Sequence, residues 1–143
     1  MSNTQFAFLE KSRVPIRASL QASIDALGFD LQLYPALDLL SDAGFIPCVF
    51  YGVSDIGFEL YSGPTSDVIG DNDELLSAIG NHDFCLNMVF HSSMKDCAAV
   101  MIVSCALAHD FGAVIFYEGE TPMSLEMLLQ ETPEVIELAK TED

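Results

Sequence analysis

The sequence predicts an α+β domain: a mostly antiparallel sheet packed against one long apolar helix near 93–109. An N-terminal helix near 15–27 and a helical cover at the C-terminal end complete it. Three observations carry this prediction. Short apolar runs with twofold alternation, bounded by Gly, Pro and Asp, recur at 5–9, 29–34, 44–61 and 82–91, as half-buried strands do. Cys97–Ala108 is apolar apart from Ser104; it falls short of the roughly 20 residues that span a bilayer, so it reads as a core helix. The 143 residues, 50% hydrophobic and with 10 Phe, are enough for one domain that buries roughly two-thirds of its unfolded surface.

Each element has a local reason. Gln5–Leu9 reads as a short first strand. Val14-Pro15 opens a helix, because Pro at the first turn loses an N–H that would be unpaired anyway. Ile16, Leu20, Ile24 and Leu27 give it an apolar stripe, and Gly28 stops it. Arg17 in its first turn runs against the helix dipole, which suggests another purpose for that charge. Residues 29–34 alternate as a strand ended by Pro35, and 36–43 read as a turn or short helical piece. Gly44–Gly52 and Ile56–Tyr61 form a hairpin around Val53-Ser54-Asp55, with Pro47 marking a bulge or an edge. Ile56, Phe58 and Leu60 share one face of it, and Glu59 and Tyr61 the other.

Residues 62–74 are the main loop, and Leu75–Ile79 a short helix. His82–His91 is the longest strand, with Phe84, Leu86, Met88 and Phe90 on one face. Ser93 and Asp96 have capping-box spacing at the start of the long helix. Ala113–Tyr117 reads as a short strand. Met123–Glu131 and Pro133–Lys140 form a helix interrupted or restarted at Pro133.

Charge narrows the function. With 5 Lys+Arg against 22 Asp+Glu, the net charge is −17, which excludes nucleic-acid backbones and anionic membranes as partners. Three of the bases gather at Lys11, Arg13 and Arg17; residues 18–94 hold eleven acids and no base, and 96–139 eight acids and no base. Such a field favours a basic protein partner and speeds its association. The expected contact residues are first the acidic loop of Asp67, Asp71, Asp73 and Glu74, then Glu59 with Tyr61, then Asp38 and Asp42. Tyr beside acids makes a suitable anchor, because it buries area and still offers a hydroxyl.

No catalytic or cofactor motif accompanies the charge. There is no Gly-x-Ser-x-Gly, no Walker A loop and no dinucleotide fingerprint. His82, His91 and His109 lack metal-ligand spacing, and Asp71-x-Asp73-Glu74 lacks the rest of a calcium loop. Cys48, Cys85, Cys97 and Cys105 all lie in apolar runs, where a thiol is inert. The expectation is therefore no enzyme, no cofactor and no metal. Met1–Leu9 lacks the basic and apolar regions of a signal peptide, so the expected compartment is the cytoplasm.

The stretch Ala22–Leu33, with Gly44-Phe-Ile-Pro-Cys48 and Ile56-Gly-Phe-Glu-Leu-Tyr61, resembles a group of small acidic bacterial proteins. These are similar in size and acidity to the immunity proteins that accompany secreted polymorphic toxins, and the likeness covers roughly 14–117. It implies a protein that binds a cognate toxin domain and covers its active site. A chaperone or adaptor of a secretion system, docking a helix on Leu125, Leu128, Leu129, Val135, Ile136 and Leu138, is the alternative; a small enzyme is a third.

Overall fold

The structure, a computed structural model, describes residues 3–69, 73–91, 93–118 and 122–142, with the backbone alone at Leu75 and Leu76. Strands β1 (Asn3–Leu9), β2 (Leu31–Gln32), β3 (Gly44–Phe50), β4 (Val53–Pro64), β5 (Phe84–Phe90), β6 (Val114–Tyr117) and β7 (Pro122–Met123) form one sheet. Its order is β2-β3-β4-β5-β1-β6-β7, and every pairing is antiparallel. The helices are α1 (Arg17–Ala26), α2 (Thr65–Ile69), α3 (Asp73–Ile79), α4 (Met94–Asp110) and α5 (Leu125–Lys140). The predicted α+β class, with its long apolar helix and antiparallel sheet, is what the chain adopts. Among the described residues no helix is long and apolar enough to cross a membrane.

Alternation sorts the sheet into two faces. Ala7, Leu9, Phe58, Leu60, Leu86 and Met88 point to one side and join the core that α1, α4 and α5 cover. α4 is buried without a break from Ala98 to Leu107, because the sheet lies under it and α1 and α5 flank it. Fully burying each large aliphatic there is worth roughly 1.5–3 kcal/mol. Its one polar interior residue is satisfied: Ser104 Oγ donates to the Val100 carbonyl at 2.8 Å and accepts from Gln5 Nε2 at 2.6 Å.

The capping-box prediction holds in one direction only. Ser93 Oγ accepts from the Asp96 N–H at 3.4 Å, but Asp96 Oδ1 accepts from the Gly57 N–H of β4 at 3.0 Å. Lysine and tail complete the cap, since Glu142 accepts from the Met94 N–H at 2.7 Å and lies 3.6 Å from Lys95 Nζ.

Several boundaries differ from expectation, each for a physical reason. Ile16 is not part of the buried stripe: it stands just outside α1 and is 71% exposed. The strand expected over 29–34 shrinks to β2, because the chain turns away from β3 towards Pro35. The hairpin turn falls at Tyr51 and Gly52, with φ of 45° and 80°, rather than at 53–55; two positive φ values make the tight turn that matches strand twist. Of the main loop, Ser62–Pro64 continue β4, with Pro64 paired to Phe84, and Thr65–Ile69 form α2. α5 passes through Pro133 unbroken. Pro133 lies on the exposed side, while Leu128, Thr132, Ile136 and Ala139 hold both halves to the core; that burial outweighs a proline cost of about 3 kcal/mol.

Candidate functional site: an open face of the sheet

The second face of the sheet is only partly covered. Across the strand registers, Gly63, Cys85, Phe8 and Val114 form one row, and α2 and α3 close over it through Ile69 and Ile79. The two rows beside it are more open, although Phe116 at the end of the nearer one is buried. In the nearer, Tyr61, Asn87, Phe6 and Phe116 stand side by side on β4, β5, β1 and β6. In the farther, Phe45, Glu59, Val89 and Thr4 do so on β3, β4, β5 and β1. Phe45 is 60% exposed and Tyr61 40%. Beneath them Phe8 meets Phe116 edge-to-face at 5.5 Å and stacks with Phe6 at 6.0 Å, which stiffens the floor of the face.

Glu59 is the polar centre. Tyr61 Oη donates to its Oε1 at 2.8 Å, and His91 Nε2 lies 2.9 Å from its Oε2. The bond from His91, then that from Tyr61, holds the Glu59 carboxyl below the usual carboxylate range. The same Glu59 bond pushes the Tyr61 phenol up. The ring of Tyr61 is therefore fixed by its own hydroxyl while one side stays in solvent. Further acids rim the face. An Asp67 carboxylate oxygen lies 3.9 Å from where a Cβ on Gly63 would stand, and Glu118 Oε1 accepts from the Thr4 N–H at 3.1 Å.

No Lys or Arg enters these rows. Lys95 pairs with Glu142 and Lys140 with Glu137; Lys11 lies over Phe84, Arg13 reaches the Asp110 carbonyl, and Arg17 the Leu33 carbonyl.

The structure thus divides the residues that the sequence singled out. Glu59 and Tyr61 lie on the outward side of β4, and Asp67 follows in α2, with a carboxylate oxygen near Gly63. Asp73 and Glu74 are exposed in the first turn of α3. Asp71 lies outside the described residues. Asp38 and Asp42 are elsewhere: Asp42 Oδ2 accepts from the Asp38 N–H at 2.8 Å and Asp38 Oδ1 from the Leu40 N–H at 3.0 Å. Asp38 sits between the buried Leu37 and Leu39 of the helix-side core, and Ser62, which points away from Tyr61, donates to the Leu40 carbonyl of the same turn. Phe45 was missed, although the alternation of Phe45, Pro47 and Val49 against Ile46, Cys48 and Phe50 marks it as outward.

Comparison of the chain with protein-family models, curated proteins and solved structures finds no match. Functional reading therefore rests on the chain's own residues. Burial pushes the thiols of Cys48 and Cys85 up to about 12 and that of Cys97 up to about 11, which disfavours the thiolate a nucleophile needs. His82 contacts the Ile79 and Gly112 carbonyls, and His109 Nδ1 lies 2.9 Å from Asp110 Oδ1. Among the described residues no three His, Cys, Asp or Glu side chains come together as a metal site.

Proposed function

We propose that this chain is an acidic protein-binding protein of the immunity type, which seats the basic cleft of a cognate toxin domain on the open sheet face and occludes it. The observation that carries the reading is the grouping of two exposed aromatics, Phe45 and Tyr61, with Glu59 on a face that holds no Lys or Arg, with Asp67 of α2 near its Gly63 border. Aromatic side chains on rigid strands make hot spots, because little entropy remains to be lost on docking. Surrounding acids steer a basic surface towards them and set the orientation. Occlusion requires no catalytic residue, cofactor or metal, and such a protein works in the cytoplasm of the cell that makes the toxin. On α5, Leu128 and Ile136 are spent on the chain's own core while Leu129 and Leu138 are exposed, which leaves a helix-docking adaptor only part of the apolar side it would need.

The test is co-expression with the protein encoded by the neighbouring gene, which this reading expects to be toxic, with association rates measured at low and high salt. The wild-type chain should restore growth and associate more slowly as salt rises. Phe45→Ala and Tyr61→Ala should each weaken binding by about 2 kcal/mol, roughly 30-fold; Glu59→Lys should slow association, and all three should melt like the wild type. Unchanged binding in these three variants, or failure of the wild type to restore growth, overturns the reading.

A further inference from the structure

A groove of about 690 Å³ opens on the β2–β3 side of the sheet, a size typical of small-molecule sites. It exists because the chain leaves β3 after Gln32, so that Tyr34 and Pro35 face Pro47 and Phe45 across a gap. Pro47 presents no N–H at this open edge, which makes the gap a poor seat for an added strand.

Two charges stand in its walls. Arg17 Nη2 donates to the Leu33 carbonyl at 3.2 Å and to Gln21 Oε1 at 3.4 Å. These neutral partners fix the guanidinium without compensating its charge, and its Nε is buried with no partner. Among the described residues no carboxylate lies within 4.0 Å of Arg17, in a chain of 22 acids. Asp55 also lines the groove, exposed, in no ion pair among the described residues, and held at φ 65°, a conformation that costs energy at a non-glycine residue.

We propose that the groove binds a small zwitterion, an apolar amino acid or short apolar peptide, with its carboxylate on Arg17, its ammonium on Asp55 and its side chain between Tyr34 and Phe45. The overall charge of −17 selects this class. A net anion must approach against the field of the whole chain, whereas a zwitterion has no net charge to repel and satisfies both walls. Arginine suits the carboxylate end, since its planar fork matches carboxylate geometry. This site adjoins the docking face proposed above and shares Phe45 with it, but its two charged groups, Arg17 and Asp55, lie outside that face's rows.

Calorimetric titration of the full chain with four probes tests it: phenylalanine, alanyl-phenylalanine, N-acetylphenylalanine and phenylalaninamide. One or both zwitterions should bind, the tighter one identifying the occupant as amino acid or peptide. Each blocked analogue should bind about tenfold more weakly than phenylalanine or the dipeptide, as loss of a charged contact predicts. Asp55→Asn, which keeps a residue tolerant of positive φ, should abolish the preference for the free ammonium; Arg17→Gln should abolish that for the free carboxylate. Absence of binding by both zwitterions at about 10 mM, far above the 1 mM that corresponds to about 4 kcal/mol, overturns the proposal. So does N-acetylphenylalanine binding as well as phenylalanine, or an Asp55→Asn chain that melts like the wild type with unchanged selectivity.

Discussion

Replacing Asp96 by alanine should loosen the attachment of α4 to the sheet. β4 extends beyond the end of β5, whose pairing with it begins at Glu59, so the Gly57 N–H has no strand to bond to. Asp96 Oδ1 accepts it instead, at 3.0 Å. Gly57 lies close against β3, where a Cβ would collide with the Ile46 carbonyl oxygen. Removing the acceptor from a part-buried donor costs about 1–3 kcal/mol, and losing an acid from the first turn about 0.3–1 kcal/mol more. Water reaches part of the site, so about 2 kcal/mol is expected in total. For 143 residues at ~2.1 cal/mol/K each, the unfolding entropy is ~0.3 kcal/mol/K, giving a Tm about 7 °C lower. Asp96→Asn keeps an acceptor oxygen and should lose only about 2–3 °C, in line with the charge contribution alone. Thermal unfolding followed by circular dichroism at pH 7 reads both. An Asp96→Ala chain within about 1 °C of wild type, or an asparagine variant as damaged as the alanine one, would refute the reasoning.

Acid should destabilise the fold through a small set of carboxylates. Glu142, ordinarily 4.5, is lowered chiefly by the Met94 N–H, and Asp110, ordinarily 3.8, by the Ser23 hydroxyl. Their folded values lie below their unfolded ones, so this stability is present above about pH 4.5 and is lost as pH falls through the folded values; Tm measured from pH 7 to 3 should drop more gently in Glu142→Gln than in wild type. Ser104→Ala should cost about 1–3 kcal/mol by stranding Gln5, while the double variant Gln5→Leu/Ser104→Ala should recover much of it. Strict additivity in urea titrations of the four chains would show that the pair is not coupled.

Local chemistry made most elements legible, and non-local pairing decided the rest. The alternation of Phe84, Leu86, Met88 and Phe90 and the apolar run of α4 identify their elements from a dozen residues or fewer. Ser62-Gly63-Pro64 reads as a turn by composition, yet it is strand, because β5 offers partners at Leu86, Cys85 and Phe84. Tyr51 hides the hairpin turn, since an aromatic at positive φ is unusual; packing against Phe50 at 4.8 Å and the Lys140 cation 4.3 Å over its ring hold it there. Glu59 and Tyr61 were visible as an outward pair, but their neighbours Val89 and Thr4 come from β5 and β1. Only the register shows that these residues make one face.

That face also argues about what can occupy it. An antiparallel sheet often leaves one side to water, and Thr4 and Asn87 give these rows enough polarity for that. Phe45 at 60% exposed and Tyr61 at 40% are more than solvation requires, and such a patch invites self-association. A second copy of the chain would bring Glu59 towards Glu59 and a net −17 towards −17, with no Lys or Arg in either face to offset it. Like charges placed across an interface cost several kcal/mol. The β3 edge is blunted by Pro47 as well. The repulsion that would keep two copies apart would become attraction for a surface of opposite sign, which is why the occupant proposed above is one that brings the positive charge itself.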